Sequence, residues 1–218
     1  MIEAIRNADS IIIGPGSLYS SVICNLLVND VSKTIIQSKA KKVMISNIMN
    51  EPGETTGYTL AKHVNEVERY LGKQALDYVI ANNGEITEDM ILDFNQGAST
   101  PVTIDLENIK NRTISVIEED LVITAPNSIL HDNLRVAEII VEIAKTKGIG
   151  SLNLLKKKNS KKKKKTINID TANKIRAGTI DANVSLKSVP TIIPTARVIT
   201  AATIAITISK QQVLIIVK

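Results

Sequence analysis

Ser10-Ile11-Ile12-Ile13-Gly14-Pro15-Gly16-Ser17-Leu18-Tyr19-Ser20-Ser21 decides how the chain is read. Three consecutive isoleucines before a glycine fit a strand covered on both faces, as in a parallel sheet. Gly14 and Gly16 carry no Cβ, so this turn can take positive φ and let a ligand approach the main chain. Ser17 is a suitable N-cap for a helix over Tyr19–Val28, whose apolar stripe is Val22, Ile23, Leu26 and Leu27. Unpaired N–H groups at that helix start, with the helix dipole behind them, favour an anion and above all a phosphate. The same strand, turn and helix also serve as a plain connection in many α/β sheets. No Gly-Lys-Ser/Thr ending makes this a Walker loop, and the glycine spacing is not that of a dinucleotide fold.

Beyond this unit, strands are expected at Val43–Ser46, Leu76–Ile80, Pro101–Ile104 and Leu121–Thr124. Helices are expected at Ser32–Ser38, Thr59–Leu71, Thr87–Phe94 and Asn133–Lys145. In the second of these, Leu60, Val64, Val67 and Leu71 are spaced 4, 3 and 4, and Gly72 stands where a glycine stops a helix. Asp132 caps the last, with Leu134, Ala137, Ile140 and Val141 on one face. Strands alternating with helices predict a Rossmann-like three-layer α/β sandwich with a mostly parallel sheet. Ligands of such sheets bind at the C-terminal ends of the strands. Gly14–Ser21 and Asn47–Thr55 both fall there.

The second of those loops belongs to a longer motif, Asn47-x-Met49-x-x-Pro52-Gly53-Glu54-Thr55-x-Gly57-Tyr58-Thr59-x-x-x-His63-Val64. Its amide, carboxylate, hydroxyls and imidazole are the groups that hold a sugar, a ribose or a phosphate. Plainer roles compete: Glu54 could only favour the next helix start through its dipole, and His63 could be a half-buried surface histidine beside an apolar position. With two histidines and one cysteine in 218 residues, a structural metal site is not expected.

These stretches, with Asn25–Val28, Leu76–Ile80, Asn82-Asn83 and His131-Asp132, resemble the gluconeogenesis factor family, which is related to 2-phospho-L-lactate transferase. The resemblance covers roughly residues 2–145 and matches the C-terminal half of that family. It implies a Rossmann-like fold and a regulatory protein of carbon metabolism and cell shape that binds a uridine diphospho-sugar. On that resemblance Gly14, Pro15, Gly16, Ser17, Leu18, Tyr19, Ser20 and Ser21 face phosphate. Asn47, Met49, Gly53, Glu54, Thr55 and His63 line the same cleft. An N-terminal half supplied in trans, or a second copy of the chain, is the protein partner the resemblance implies. Ser20 replaces a usual Thr, Cys24 a common Pro, and Lys62 a usual Asp. The alternatives are a phosphotransferase of the related class and a split or inactive fragment; no catalytic residue is assigned.

Composition divides the chain. Residues 1–145 hold 12 Lys and Arg against 20 Asp and Glu, whereas 146–218 hold 15 against 2. An acidic body at 1–147 therefore gives way to a linker at 148–166 and a basic segment at 167–218. Lys156–Lys158 and Lys161–Lys165 form a solvated run without aromatics, suited to a spacer or to nonspecific, salt-dependent nucleic-acid contact. In the final segment Val198–Ile208 is rich in Ile, Thr and Ala, and Val213–Val217 reads as a strand. Val189-Pro190 and Gln212–Val217 faintly resemble the end of glucosamine-6-phosphate deaminase-like proteins. A truncated-looking body and tail joined by lysines suggest a fusion or a gene remnant. The single cysteine and the lack of a leader or a long apolar run point to a cytoplasmic setting without a membrane partner.

Overall fold

A computed structural model describes residues 1–94, 99–109, 113–125 and 127–145, and the backbone of 214–217. The chain enters through α1 (Ile2–Arg6) into β1 (Ser10–Ile13), and a helical stretch at Leu18–Leu26 ends in the short α2 (Cys24–Leu26). There follow α3 (Val31–Gln37), β2 (Lys41–Ile45), α4 (Leu60–Leu71), β3 (Tyr78–Asn82), α5 (Glu88–Phe94) and β4 (Ser115–Glu119). A hairpin of β5 (Val122–Ala125) and β6 (Ser128–His131) leads to α6 (Asn133–Lys145), and β7 (Leu214–Val217) closes the described set.

The main sheet has the order β4-β3-β2-β1-β7. Its first four strands are parallel, and β7 runs antiparallel along β1 with Ser10 opposite Val217. Alternation along the strands builds two cores, because successive side chains point to opposite faces. Ile11, Ile13, Met44 and Val79 pack with α3, α4 and the Leu18–Leu26 stretch. Ile12, Val43, Ile45, Tyr78, Ile80 and Ile117 pack against α6. Helices thus cover both faces, which is the three-layer α/β arrangement. A third, smaller cluster joins Ile48 and Met49 to Ile129 of the hairpin, with α5 against it.

Several expected elements lie elsewhere. The first helix opens as a π-helical turn over Leu18–Ile23 and reaches only Leu26, and Leu27 is 64% exposed rather than part of the apolar stripe. The third strand sits two residues later than expected, because Leu76 packs into the core ahead of the strand itself. Pro101–Ile104 is no strand; its residues make single bridges from Pro101 to Met49 and from Thr103 to Thr59. The Leu121–Thr124 expectation becomes β5, which pairs with β6 and stays outside the main sheet. In α6 it is Val136, Ile139 and Ile143 that join Ala137 and Ile140 in the core, while Leu134 is exposed. The linker at 148–166, Val198–Ile208 and Val189-Pro190 lie outside the described residues.

Candidate functional site

The turn after β1 is built around Gly14. Its φ is +85°, and a Cβ placed there would stand 2.7 Å from the Ile45 carbonyl oxygen at the end of β2. Only glycine lets the two strand ends approach this closely. From that point the chain is stitched to the loop after β2. The Gly16 amide donates to Asn47 Oδ1 at 3.1 Å, and Asn47 Nδ2 donates back to the Gly16 carbonyl at 3.0 Å. One asparagine side chain thereby fixes the turn as a second strand would.

Glu54 makes the second connection. Ser17 Oγ donates to Glu54 Oε2 at 2.6 Å, the Leu18 amide donates to the same oxygen at 3.0 Å, and the Ser20 amide reaches Oε1 at 3.2 Å. Ser20 Oγ donates to Ser17 Oγ at 2.6 Å, so a hydroxyl pair feeds the carboxylate. Ser17 was expected to cap the helix with its own oxygen; instead its hydroxyl points away to Glu54 and makes no cap bond. The π-helical opening reflects the Ser17 carbonyl, which accepts from both Ser21 N at 3.0 Å and Val22 N at 2.9 Å.

Two carboxyls share this corner. Burial opposes ionisation of Glu54, but bonds from Ser17, the Ser20 amide, Glu51 and the Leu18 amide outweigh it and hold the group below the ordinary carboxylate range. Burial pushes Glu51 up, against a bond from Ser17, and the neighbouring Glu54 charge adds to the rise. Ionisation is therefore favoured at Glu54, and a proton taken up by the pair favours Glu51.

Of the other residues singled out in the sequence, Gly53 is exposed at the tip of the turn with φ +77°. Thr55 is fully buried, and its Oγ1 accepts from the Glu51 amide at 2.8 Å, which fixes the turn internally. Met49 is buried in the third cluster and His63 within α4, so neither opens onto the loop surface. His63 Nδ1 donates to the Thr59 carbonyl at 2.9 Å, and burial lowers its pKa against that bond, leaving Nε2 as an unprotonated acceptor. Ser21 accepts through its carbonyl from Asn25 Nδ2 at 2.6 Å. Tyr19 meets Tyr58 hydroxyl to hydroxyl at 2.9 Å, and Lys62 Nζ lies 3.9 Å from the centre of the Tyr58 ring. The lysine's reversed charge is thus spent on an aromatic face.

Sequence reading passed over Glu51, Asn50 and Asp105. The signal for Glu51 was its position three residues before Glu54 across Pro52-Gly53 in a tight turn. Asn50, buried, donates from Nδ2 to the Tyr58 carbonyl at 3.0 Å and so ties the two ends of the loop. Asp105 accepts from the Ala61 amide at 2.8 Å, and this bond with those from Asn108 and Thr59 lowers its pKa despite burial. Beside the site, a cavity of about 10 Å³ lined by Ser46, Asn47, Ile48, Leu60, Ala81 and Asn82 has room for no more than about one water molecule. Among the described residues no group of three or more His, Cys, Asp or Glu side chains is placed to hold a metal ion, and no helix is long and apolar enough to cross a membrane.

Residues 1–122 match the family model described as 2-phospho-L-lactate transferase CofD. A "Putative gluconeogenesis factor" of Thermoanaerobacterium thermosulfurigenes is 48% identical over 137 residues, which cover 63% of this chain and 42% of that one. The gluconeogenesis factor of Bacillus subtilis (strain 168) is 38% identical over 144 residues, covering 66% and 45%. A crystal structure of a UPF0052 family member from Bacillus halodurans superposes with a TM-score of 0.61 at 35% identity, covering 64% of this chain and 45% of that one. The chain therefore spans less than half the length of these relatives.

Proposed function

The chain belongs to the 2-phospho-L-lactate transferase CofD family, and from that premise we propose that it is a regulatory protein of the gluconeogenesis factor type that binds a nucleotide diphospho-sugar. The observation that carries the reading is the convergence of the Gly14–Ser21 turn with Asn47 and Glu54 at the C-terminal ends of β1 and β2. Adjacent parallel strands place ligands in that position. Main-chain amides and serine hydroxyls suit phosphate oxygens, and the Asn47 amide suits the hydroxyls of a ribose or sugar. The named relatives support the regulatory rather than the catalytic branch.

Calorimetric titration of the chain with uridine diphospho-N-acetylglucosamine tests this directly. Saturable heat that is lost in the Asn47→Ala variant is expected. Absence of heat from a cooperatively folded chain overturns the reading. The second reading, a phosphotransferase that moves a phospholactyl group from a nucleotide diphosphate to an alcohol, is favoured by the description of the matching family model. Release of nucleotide monophosphate from such a donor, dependent on the acceptor alcohol, would establish it instead.

A further inference from the structure

The amides that the proposed function assigns to phosphate are already engaged by a negative group. Both oxygens of Glu54 are held, Oε2 by Ser17 Oγ and the Leu18 amide, and Oε1 by the Ser20 amide. We propose that Glu54 is a tethered stand-in for the ligand's phosphate, which must displace the carboxylate to enter, so that Glu54 sets the affinity threshold of the site. The inference rests on the phosphate-binding reading of the Gly14–Ser21 turn and concerns how that same site is controlled.

Three features argue for displacement rather than joint occupancy. The Glu54 carboxylate spans two amides two residues apart, which is how a phosphate would engage the opening of the nine-residue stretch Leu18–Leu26. A phosphate entering beside the ionised Glu54, with a second carboxyl at Glu51, would meet like charge at close range in a partly desolvated corner. The Gly16 amide is meanwhile committed to Asn47 and offers no independent anchorage.

The local structure permits the exchange without unfolding the turn. Thr55, fully buried and bonded to the Glu51 amide, holds the backbone beside Glu54 in place. Gly53, the residue before Glu54, is exposed at the tip of the turn, and a Cβ placed on it would meet no atom within 4 Å outside its chain neighbours, so the turn faces open space on that side. Once the carboxylate leaves, Ser17 and Ser20, now bonded to each other at 2.6 Å, can turn their hydroxyls to the incoming oxygens. The residue types of the Asn47–His63 motif taken alone make Glu54 a partner of sugar hydroxyls, which predicts the opposite effect of its removal.

The test measures binding of uridine diphosphate, inorganic pyrophosphate and uridine to the full chain and to Glu54→Ala and Glu54→Gln variants at pH 7.5, with thermal melting to verify folding. Tighter binding of both phosphorylated probes by about tenfold in Glu54→Ala, with a smaller gain in Glu54→Gln and no gain for uridine, is expected. Weaker or unchanged binding of the phosphorylated probes by the variants overturns the role given to Glu54 while leaving a phosphate site intact. Binding by neither the parent chain nor the variants overturns the phosphate site itself. Should Glu54→Ala fail to melt cooperatively, the Glu54→Gln result decides, since it keeps one acceptor oxygen for Ser17 and the Leu18 amide while removing the charge and the acceptor for the Ser20 amide.

Discussion

A single methyl group measures how tightly the site is drawn together. Gly14→Ala puts a Cβ at 2.7 Å from the main-chain oxygen of Ile45 and imposes φ +85° on a residue that disfavours it. Neither neighbour can retreat, because Ile13 and Ile45 are both buried in the sheet. The substitution is expected to cost at least about 2 kcal/mol in chemical denaturation. Alanine at the exposed Gly53, which meets no atom, should cost only the strain of its positive φ. At this scale the sequence was legible where geometry demands glycine. It was misleading where side chains choose between partners. Ser17 carries the letter of an N-cap, but a carboxylate 37 residues away outcompetes its own helix, and nothing local announces that choice. His63 and Met49 share a motif with Glu54 yet turn into the core, since helical and loop periodicity decide direction and motif membership does not.

At the level of elements, the best-marked helix was also the best read. Leu60, Val64, Val67 and Leu71 are all buried, Thr59 Oγ1 accepts from the Lys62 amide at 3.3 Å, and Gly72 ends α4 with its amide on the Glu68 carbonyl at 2.8 Å. What the letters could not supply is the second cap. Asp105, brought from 44 residues away, accepts from the Ala61 amide at 2.8 Å and from Asn108 Nδ2 at 2.9 Å. Thr59→Ala should therefore lower stability by about 1 kcal/mol. Asp105→Ala should cost more, about 2 kcal/mol, because it strands a buried amide donor. Denaturant midpoints at constant slope would check the order; equal costs would mean that water replaces the aspartate. Two strands were missed altogether, Ser128–His131 in the hairpin and Ser115–Glu119 in the main sheet, of which the latter carries two adjacent apolar residues followed by acidic ones. Such a composition suits the end position in a sheet, where charge discourages further pairing, and hides the strand from any search for buried runs.

For the molecule as a whole, the acidic body and the two-faced sheet followed from composition and alternation, whereas the attachment of the hairpin did not. β5 and β6 are held to the end of β2 by His131 Nε2, which donates to the Ser46 carbonyl at 3.0 Å. Burial pushes His131 down to about 4, against the bond to Ser46. A histidine whose folded pKa lies below its unfolded value contributes stability above the unfolded value, near 6.5, and loses it as pH falls through the folded one. Stability is thus expected to decline between pH 6.5 and 4 by roughly 3 kcal/mol from this residue. The lowered His63 acts in the same direction as pH falls below 6.5, and the lowered Glu54 and Asp105 add to the decline at lower pH. Glu51 opposes them: its raised pKa favours the folded state once protonated, so it recovers part of the loss at acid pH. His131→Gln keeps an amide donor and removes the titration. The variant should show a shallower fall in urea-unfolding free energy from pH 6.5 to 4 than the parent chain, with little change at pH 7.5. A slope identical to the parent's would transfer the acid sensitivity from the hairpin to the carboxyl groups, and with it the view that His131 couples the hairpin to the sheet that carries the site.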